Sequence, residues 1–179
     1  MRIIAGNLRH RNIKMTNLET TRETQDSVRE AMFNSIGPYF DGGTALDLFC
    51  GSGALAFEAY SRGIEKIYLN DLERKAIMVA KENATSLGIK DAYFTNFDYQ
   101  TAIKQYEKLN VKFDYIFLDP PYKLNDIKGI LDSLKNIANE NTMFIFEMGK
   151  DSISDVSGYN KFKEKNYGIK KIAYYRYEK

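Results

Sequence analysis

The sequence predicts an α/β domain: a mostly parallel sheet of seven strands, helices on both faces, and an antiparallel hairpin at the C-terminal end. Three observations predict it. From residue 44 onward, short apolar runs alternate with segments whose apolar residues recur at helical spacing, the pattern of βα units around a parallel sheet. The runs are apolar almost throughout rather than at every second residue, as strands covered on both faces are. The last two β-rich runs, residues 162–165 and 169–177, are separated only by Asn166, Tyr167 and Gly168. That is too short for a crossover helix, so those two strands pair antiparallel.

Residues 1–25 read as a basic N-terminal arm and residues 26–179 as the domain proper. In the arm, two β-prone pieces (2–5 and 12–15) flank Gly6-Asn7 and a basic stretch, the pattern of a hairpin. Val28, Ala31, Met32 and Ile36 fall at helical spacing, and Gly37-Pro38 ends that helix. Residues 44–49 are a strand, followed by a glycine-rich turn and a helix carrying Leu55, Ala56, Ala59 and Tyr60. A strand over 64–70 leads to a helix with Ala76, Ile77, Ala80, Ala84 and Leu87 on one face and Gly88 as its stop. Strand 92–95 is trailed by a helix ending near Leu109, and strand 113–118 by a helical stripe of Ile127, Ile130, Leu131, Leu134 and Ile137. Residues 142–146 are a fifth strand. No repeat, low-complexity segment or long linker divides the chain.

Composition narrows the class. A chain of 179 residues is one domain's worth, and 44% hydrophobic with 28% charged residues is ordinary for a globular protein. No apolar run approaches the ~20 residues of a membrane helix, and the start lacks the apolar stretch of a secretory signal. One cysteine, Cys50, and one histidine, His10, allow no internal disulfide and no metal cluster built from those types. The expectation is a cytoplasmic protein with no membrane or metal site and, lacking coiled-coil heptads, a monomer. The net charge of +2 conceals a polarity. Residues 1–14 carry Arg2, Arg9, Arg11 and Lys14 with no acid, and residues 161–179 carry seven Lys/Arg against Glu164 and Glu178. Basic ends around an acidic middle would meet a polyanion with the ends.

The chemistry is expected beyond the carboxyl ends of the parallel strands. Each of the first four strands ends in or near an acid: Asp47, Asp71, Asp98 and Asp119, spaced by about one βα unit. A row of carboxylates repels a bare phosphate and favours a ligand with hydroxyls, an amine or a positive charge. In the turn Asp47-Leu48-Phe49-Cys50-Gly51-Ser52-Gly53, the two glycines let the backbone approach a ligand closely. The turn lacks the Gly-Lys-Ser/Thr of a phosphate loop. With Ala56 it matches a dinucleotide fingerprint on paper, and Asp71 on a ribose diol suits either kind of ligand. Cys50 reads as a small packing residue. Most specific is Asp119-Pro120-Pro121-Tyr122, directly after the apolar strand 113–118. Two prolines stiffen the turn and leave carbonyls to accept. A carboxylate and a carbonyl beside an aromatic ring suit the exocyclic amino group of a stacked planar base.

At these residues the sequence resembles a class I S-adenosylmethionine-dependent methyltransferase with a Rossmann-like fold, of the amino-methylating group. More narrowly, it resembles the bacterial 16S ribosomal RNA (guanine(966)-N(2))-methyltransferase family. The resemblance spans nearly the whole chain: Arg2-Ile3-Ile4-Ala5-Gly6, the stretch from Thr24 to Asn34, Leu46 to Gly53, Asp119 to Tyr122, and Tyr167-Gly168. One departure is Arg22-Glu23-Thr24, where the family has Arg-Pro-Thr. The resemblance implies that Asp47, Phe49, Gly51 and Gly53 line the methionine end of S-adenosylmethionine. Asp71 then accepts from the ribose hydroxyls, Phe97 packs on the adenine, and Asp98, or Asn96 nearby, takes its amino group. Asp119, Pro120, Pro121 and Tyr122 hold the target amine and base, which must be unpaired or out of its stack.

The same resemblance implies that Arg9, His10, Arg11, Lys14 and Arg22 hold phosphates of 16S rRNA in the small ribosomal subunit or its assembly intermediate, while His10 reads equally well as an ordinary polar loop residue. Arg29 has a competing reading as a buried arginine paired with an acid. The rival functions are an adenine-N6 or cytosine-N4 methyltransferase on DNA or another RNA, a Rossmann-type NAD oxidoreductase, and a non-catalytic RNA-binding assembly factor.

Overall fold

The computed structural model describes residues 1–16 and 25–178; Arg22 and the Arg22-Glu23-Thr24 departure lie outside the described residues. After helix α1 (Asp26–Ile36), strands β1 (Thr44–Asp47), β2 (Lys66–Asn70), β3 (Ala92–Thr95), β4 (Phe113–Leu118) and β5 (Ala138–Gly149) alternate with α2 (Ala54–Ser61), α3 (Arg74–Leu87), α4 (Tyr99–Lys108) and α5 (Ile127–Ser133). Strands β6 (Tyr159–Tyr167) and β7 (Lys170–Tyr177) close the chain. The seven strands lie in the order β3-β2-β1-β4-β5-β7-β6. Pairings among the first five are parallel, and β7 runs antiparallel to both β5 and β6.

The two faces are covered by different helices, which is why the strands read as continuous apolar runs. Alternate residues divide between them: Ala45, Leu69 and Phe117 pack with α1, α2 and α3, while Leu46, Ile116 and Leu118 pack with α4 and α5. Because β7 is inserted antiparallel, its first residue, Lys170, stands opposite Gly149 at the end of β5. The β6–β7 turn therefore lies on the same sheet edge as the ends of the five parallel strands.

Several strand bounds differ from the sequence reading, β6 spanning Tyr159–Tyr167 and β5 starting at Ala138, and two differences have a clear physical reason. The stripe expected as one helix is split into α5 and a 3-10 turn, Lys135–Ile137. Its apolar residues all stay buried, because Leu134 N and Ile137 N tighten to i→i+3 bonds on Leu131 O and Leu134 O as the chain turns into β5. Strand β5 runs three residues past the expected end, through Gly149. Pairing with β7 supplies the ladder for those residues, a non-local partner that the local pattern does not encode.

The N-terminal residues pair antiparallel, Arg2 opposite Asn12, and bury Ile3 and Ile13 in the same core as α1 and α2. One carboxylate holds them there. Glu58 of α2 is fully buried; its Oε2 accepts from Ile4 N at 2.9 Å and its Oε1 from Ala5 N at 3.1 Å. Oε1 also accepts from Arg62 Nε at 2.8 Å, and Arg29 Nε lies 3.6 Å from Oε2. Arg29, likewise fully buried, donates to Arg2 O and, at 3.1 Å, to Asp26; it is the buried arginine of the competing reading. Gly6 allows the close approach, since its φ is +84° and a Cβ there would sit 1.8 Å from Ser61 O. No helix among the described residues is long and apolar enough to cross a membrane.

Removing the central acid leaves two buried guanidinium groups without their shared partner. Glu58→Gln is expected to lower unfolding stability by about 3–5 kcal/mol in a urea titration. A loss below about 1 kcal/mol would mean the ion cluster is not what secures the N-terminal strands.

Candidate active site

The first three strand ends are tied together by one side chain. Asn70, the last residue of β2, is buried. Its Nδ2 donates to Leu48 O beyond β1 at 3.2 Å and to Phe97 O beyond β3 at 3.0 Å. Its Oδ1 accepts from Thr95 Oγ1 at 2.8 Å and from Phe97 N at 3.3 Å. Both donors and the acceptor are thus used, as a buried amide requires. In return, Asn70 O accepts from Cys50 N at 2.9 Å, drawing the glycine-rich turn onto the same point.

That arrangement opens a cleft of about 420 Å³, within the size range of small-molecule sites. Phe49 and Gly51, Asp71 and Leu72, Phe97 and Asp98, and Asp119 to Pro121 line it. Asp71 ties its own loop to the glycine-rich turn: Gly51 N donates to its Oδ2 and Glu73 N to its Oδ1, each at 2.9 Å. Burial raises the pKa of its carboxyl group, opposed by those same N–H donors. Asp98 is exposed and caps α4, accepting from Thr101 N at 2.9 Å and Thr101 Oγ1 at 2.6 Å. The Thr101 hydroxyl and backbone hold the Asp98 carboxyl below its ordinary pKa. Each oxygen retains acceptor capacity toward the cleft. Asn96, the alternative to Asp98, spends its amide on Asp71 O and Leu72 O at 2.8 and 2.9 Å.

Three expected residues sit elsewhere. Asp47 is buried at the end of β1 rather than lining the cleft. Gly53 has φ +89°, and a Cβ there would fall 2.4 Å from Phe57 Cε2. Backbone conformation and core packing by themselves require a glycine there. Tyr122, half exposed, lines a second, smaller cavity of about 60 Å³. That cavity shares the Asp119-Pro120-Pro121 wall and is closed on the far side by Glu147, Gly149, Ser152 and Lys170.

Arg9, His10, Arg11 and Lys14 are exposed and line neither cavity. Lys14 Nζ pairs with Glu82 at 2.8 Å, and Arg11 donates to Ser86 O at 2.6 Å. The second strand of the N-terminal pair still reaches the site from behind, because the Asn83 amide donates to both Lys14 O and Ser52 O at 3.0 Å.

Leu72 was not among the expected site residues, yet it is 68% exposed in the cleft. The available signal was an apolar residue among the polar neighbours Asn70, Asp71 and Glu73. Glu147 was also missed, although it directly follows the fifth predicted strand, as the other acids follow theirs.

Comparison with known proteins places the molecule. A family model described as Conserved hypothetical protein 95 matches residues 1–176. The chain belongs to that family. It is 33% identical to ribosomal RNA small subunit methyltransferase D of Haemophilus influenzae, over 99% of this chain and 93% of that protein. A solved conserved hypothetical protein from Streptococcus pyogenes superposes with a TM-score of 0.77 at 38% identity, covering 84% of this chain and 96% of that one. A ribosomal protein L11 methylase from Lactobacillus delbrueckii shares the fold, with a TM-score of 0.68 at 17% identity, covering 84% and 77%. By fold and by family, the chain is a class I methyltransferase. The oxidoreductase and non-catalytic readings fall with that assignment.

The Asn70 bonds generate a direct expectation. Asn70→Leu leaves the Phe97 amide and two carbonyls without partners, costing about 1–3 kcal/mol in denaturant unfolding. Hydrogen exchange at the Phe97 amide should accelerate; unchanged protection there would show that the loop is held by other contacts.

Proposed function

We propose that this chain methylates the exocyclic N2 of a guanine in 16S rRNA, carried by the small ribosomal subunit or its assembly intermediate. It uses S-adenosylmethionine and works as a cytoplasmic monomer. One observation carries the reading: two cavities of different character meet at a single wall, Asp119-Pro120-Pro121. The larger suits a nucleoside with a charged amino-acid tail, and the smaller suits the edge of a planar base.

The lining residues fit S-adenosylmethionine. Asp71 keeps acceptor capacity for the two ribose hydroxyls beyond its bonds to Gly51 and Glu73. Leu72 and Phe97, exposed to 68% and 41%, offer apolar surface to an adenine ring, while Asp98 accepts from its amino group. Asp98 is favoured over Asn96, whose amide is committed to the neighbouring loop. Phe49 and Gly51 border the methionine end. Asp47 acts from behind, by setting the turn. When bound, the cofactor supplies a methyl group on a sulfonium centre.

The protein's own part is positioning. The N2 lone pair of guanine is delocalised into its ring, so the amine is a poor nucleophile. Asp119 and the Pro120 carbonyl accept its two hydrogens, fix the amine in place and turn its lone pair toward the larger cleft. Tyr122 stacks on the base. The nitrogen becomes acidic once it carries the new bond, and Asp119 takes the proton released. Orientation of this kind is worth several kcal/mol, so no strong base is required beforehand. Arg9, Arg11 and Lys14, with Arg22, supply cations to phosphates and His10 a hydrogen-bonding ring, and together they orient the RNA without reading it.

The decisive assay incubates the protein with S-adenosylmethionine and unmodified small subunits, then identifies the nucleosides by mass. N2-methylguanosine is expected, and its absence in a protein that binds S-adenosylhomocysteine would sink the substrate assignment. At 100 times Kd, S-adenosylhomocysteine should add about 2.7 kcal/mol of stability, a rise in Tm of roughly 5–10 °C. Asp119→Ala should keep that rise and lose product formation by at least about a hundredfold; normal turnover would remove Asp119 from its role.

Asp71 generates a pH expectation. Its carboxyl is raised by burial, so the folded protein holds that proton more tightly than the unfolded chain does. Ionised Asp71 therefore costs stability at neutral pH, and that cost is relieved as pH falls through the raised value. Affinity for S-adenosylhomocysteine should fall over the same interval, above the ordinary aspartate range, and Asp71→Asn should flatten the profile. An identical profile in the variant would assign the titration to another group.

A further inference from the structure

We infer that Glu147 and Lys170 read the Watson–Crick edge of the target base, and that this pair, rather than the Asp119 turn, selects guanine. The inference rests on the proposed reading of the site and deepens it. Adenine N6, cytosine N4 and guanine N2 all carry two hydrogens, so acceptors at Asp119 and Pro120 hold any of them equally well. Discrimination has to come from the atoms beside the amine.

The second cavity offers those contacts. Glu147, near the end of β5, is 4% exposed, and the Nζ of Lys170, the first residue of β7, is ion-paired to its Oε1. Both line the cavity that Asp119, Pro120, Pro121 and Tyr122 close from the other side. The two residues stand on paired strands, Glu147 opposite Ile172 and Lys170 opposite Gly149, so the backbone ladder fixes their spacing. Desolvating an ion pair costs about as much as the pair returns, and an apolar pair would pack there equally well. Stability therefore does not explain a carboxylate and an ammonium at this wall; a ligand with matching polarity does.

Guanine has that polarity. With its N2 hydrogens on the Asp119 turn, it presents N1–H next and O6 beyond: one donor for the Glu147 carboxylate, then one acceptor for the Lys170 ammonium. Adenine and cytosine place a ring-nitrogen lone pair where guanine has N1–H, and adenine has only a C–H where guanine has O6. That lone pair would face the Glu147 carboxylate, a repulsion that rejects the wrong base. A cavity of about 60 Å³ has room for a few waters, which the edge of a ring can replace while the rest of the nucleotide stays outside.

The test replaces the guanine that the wild-type enzyme modifies, in reconstituted small subunits, with 2,6-diaminopurine. This base keeps the N2 amine but has an acceptor at N1 and an amino group in place of O6. In single turnover, the wild-type enzyme should prefer guanine by at least about a hundredfold. Glu147→Gln should lose about a hundredfold on guanine and bring the guanine-to-diaminopurine ratio within about tenfold, because its amide can donate to N1. Lys170→Met should lower the ratio as well, and both variants should keep the full thermal shift with S-adenosylhomocysteine.

A wild-type ratio near one overturns the inference. So does a Glu147→Gln rate on guanine within about threefold of wild type, or a loss of rate with the ratio unchanged. If Glu147→Gln does not fold, Lys170→Met decides on the same ratio. Wild-type protein that binds S-adenosylhomocysteine but leaves small subunits unmethylated overturns the proposed function, and this inference with it. An active wild type with no discrimination overturns the inference alone.

Discussion

Four hydrogen bonds from one buried amide hold the ends of three strands in line, and the site depends on that alignment. Asn70 contacts the residues beyond β1 and β3 from the tip of β2, which lies between them in the sheet. Parallel strands leave their carboxyl ends as a row of unpaired backbone groups, and a loop leaving such an end is free to go in several directions. An amide with two donors and a two-lone-pair oxygen is the smallest side chain able to satisfy groups from both neighbours at once. With its loops fixed, the edge presents Gly51, Asp71, Leu72, Phe97 and Asp98 to one cleft. Without it, the same residues are an arbitrary set of loop side chains.

The N-terminal strands are held by a comparable device on one face of the sheet. A carboxylate at full burial, Glu58, receives two backbone N–H groups and two guanidinium groups. Such a group is expensive to desolvate and is tolerated because its acceptors are well used. The consequence is that residues 1–14 are packed on the domain rather than forming a loose arm. Ile3 and Ile13 belong to the core, and Asn83 links the second strand of the pair to the glycine-rich turn through Ser52. Arg9, Arg11 and Lys14, the cations proposed to meet RNA phosphates, are thus carried by strands packed on the same core as the cleft.

The β5–β7 pairing contributes in the same sense. Reversing β7 brings Lys170 to the end of β5, so that an antiparallel addition to a parallel sheet completes a pocket beside the Asp119 turn. Glu147 and Lys170 are 23 residues apart in the chain and become one polar unit only through that ladder. The smaller cavity is therefore a product of topology more than of any local motif.

Much of this protein was legible in its sequence. The alternation of apolar runs with helical stripes specifies the sheet, because a strand buried on both faces cannot be polar on either. The spacing of one acid per βα unit locates Asp71, Asp98 and Asp119 at one edge, since every parallel strand delivers its end there. What tertiary structure decided is direction and company. Asp47 and Gly53 flank the same turn as Gly51, yet Asp47 is buried at the end of β1 and a Cβ at Gly53 would meet Phe57 and Leu69, because the packing of α2 and β2 against the turn decides which of its residues reach the cleft. Leu72 is exposed, though its type predicts burial, because the Asn70 and Asn96 bonds hold its loop against the cleft. The partners of Arg29 and Glu147 come from distant segments, and the identity of a buried charge's partner is set by packing, which no local spacing records.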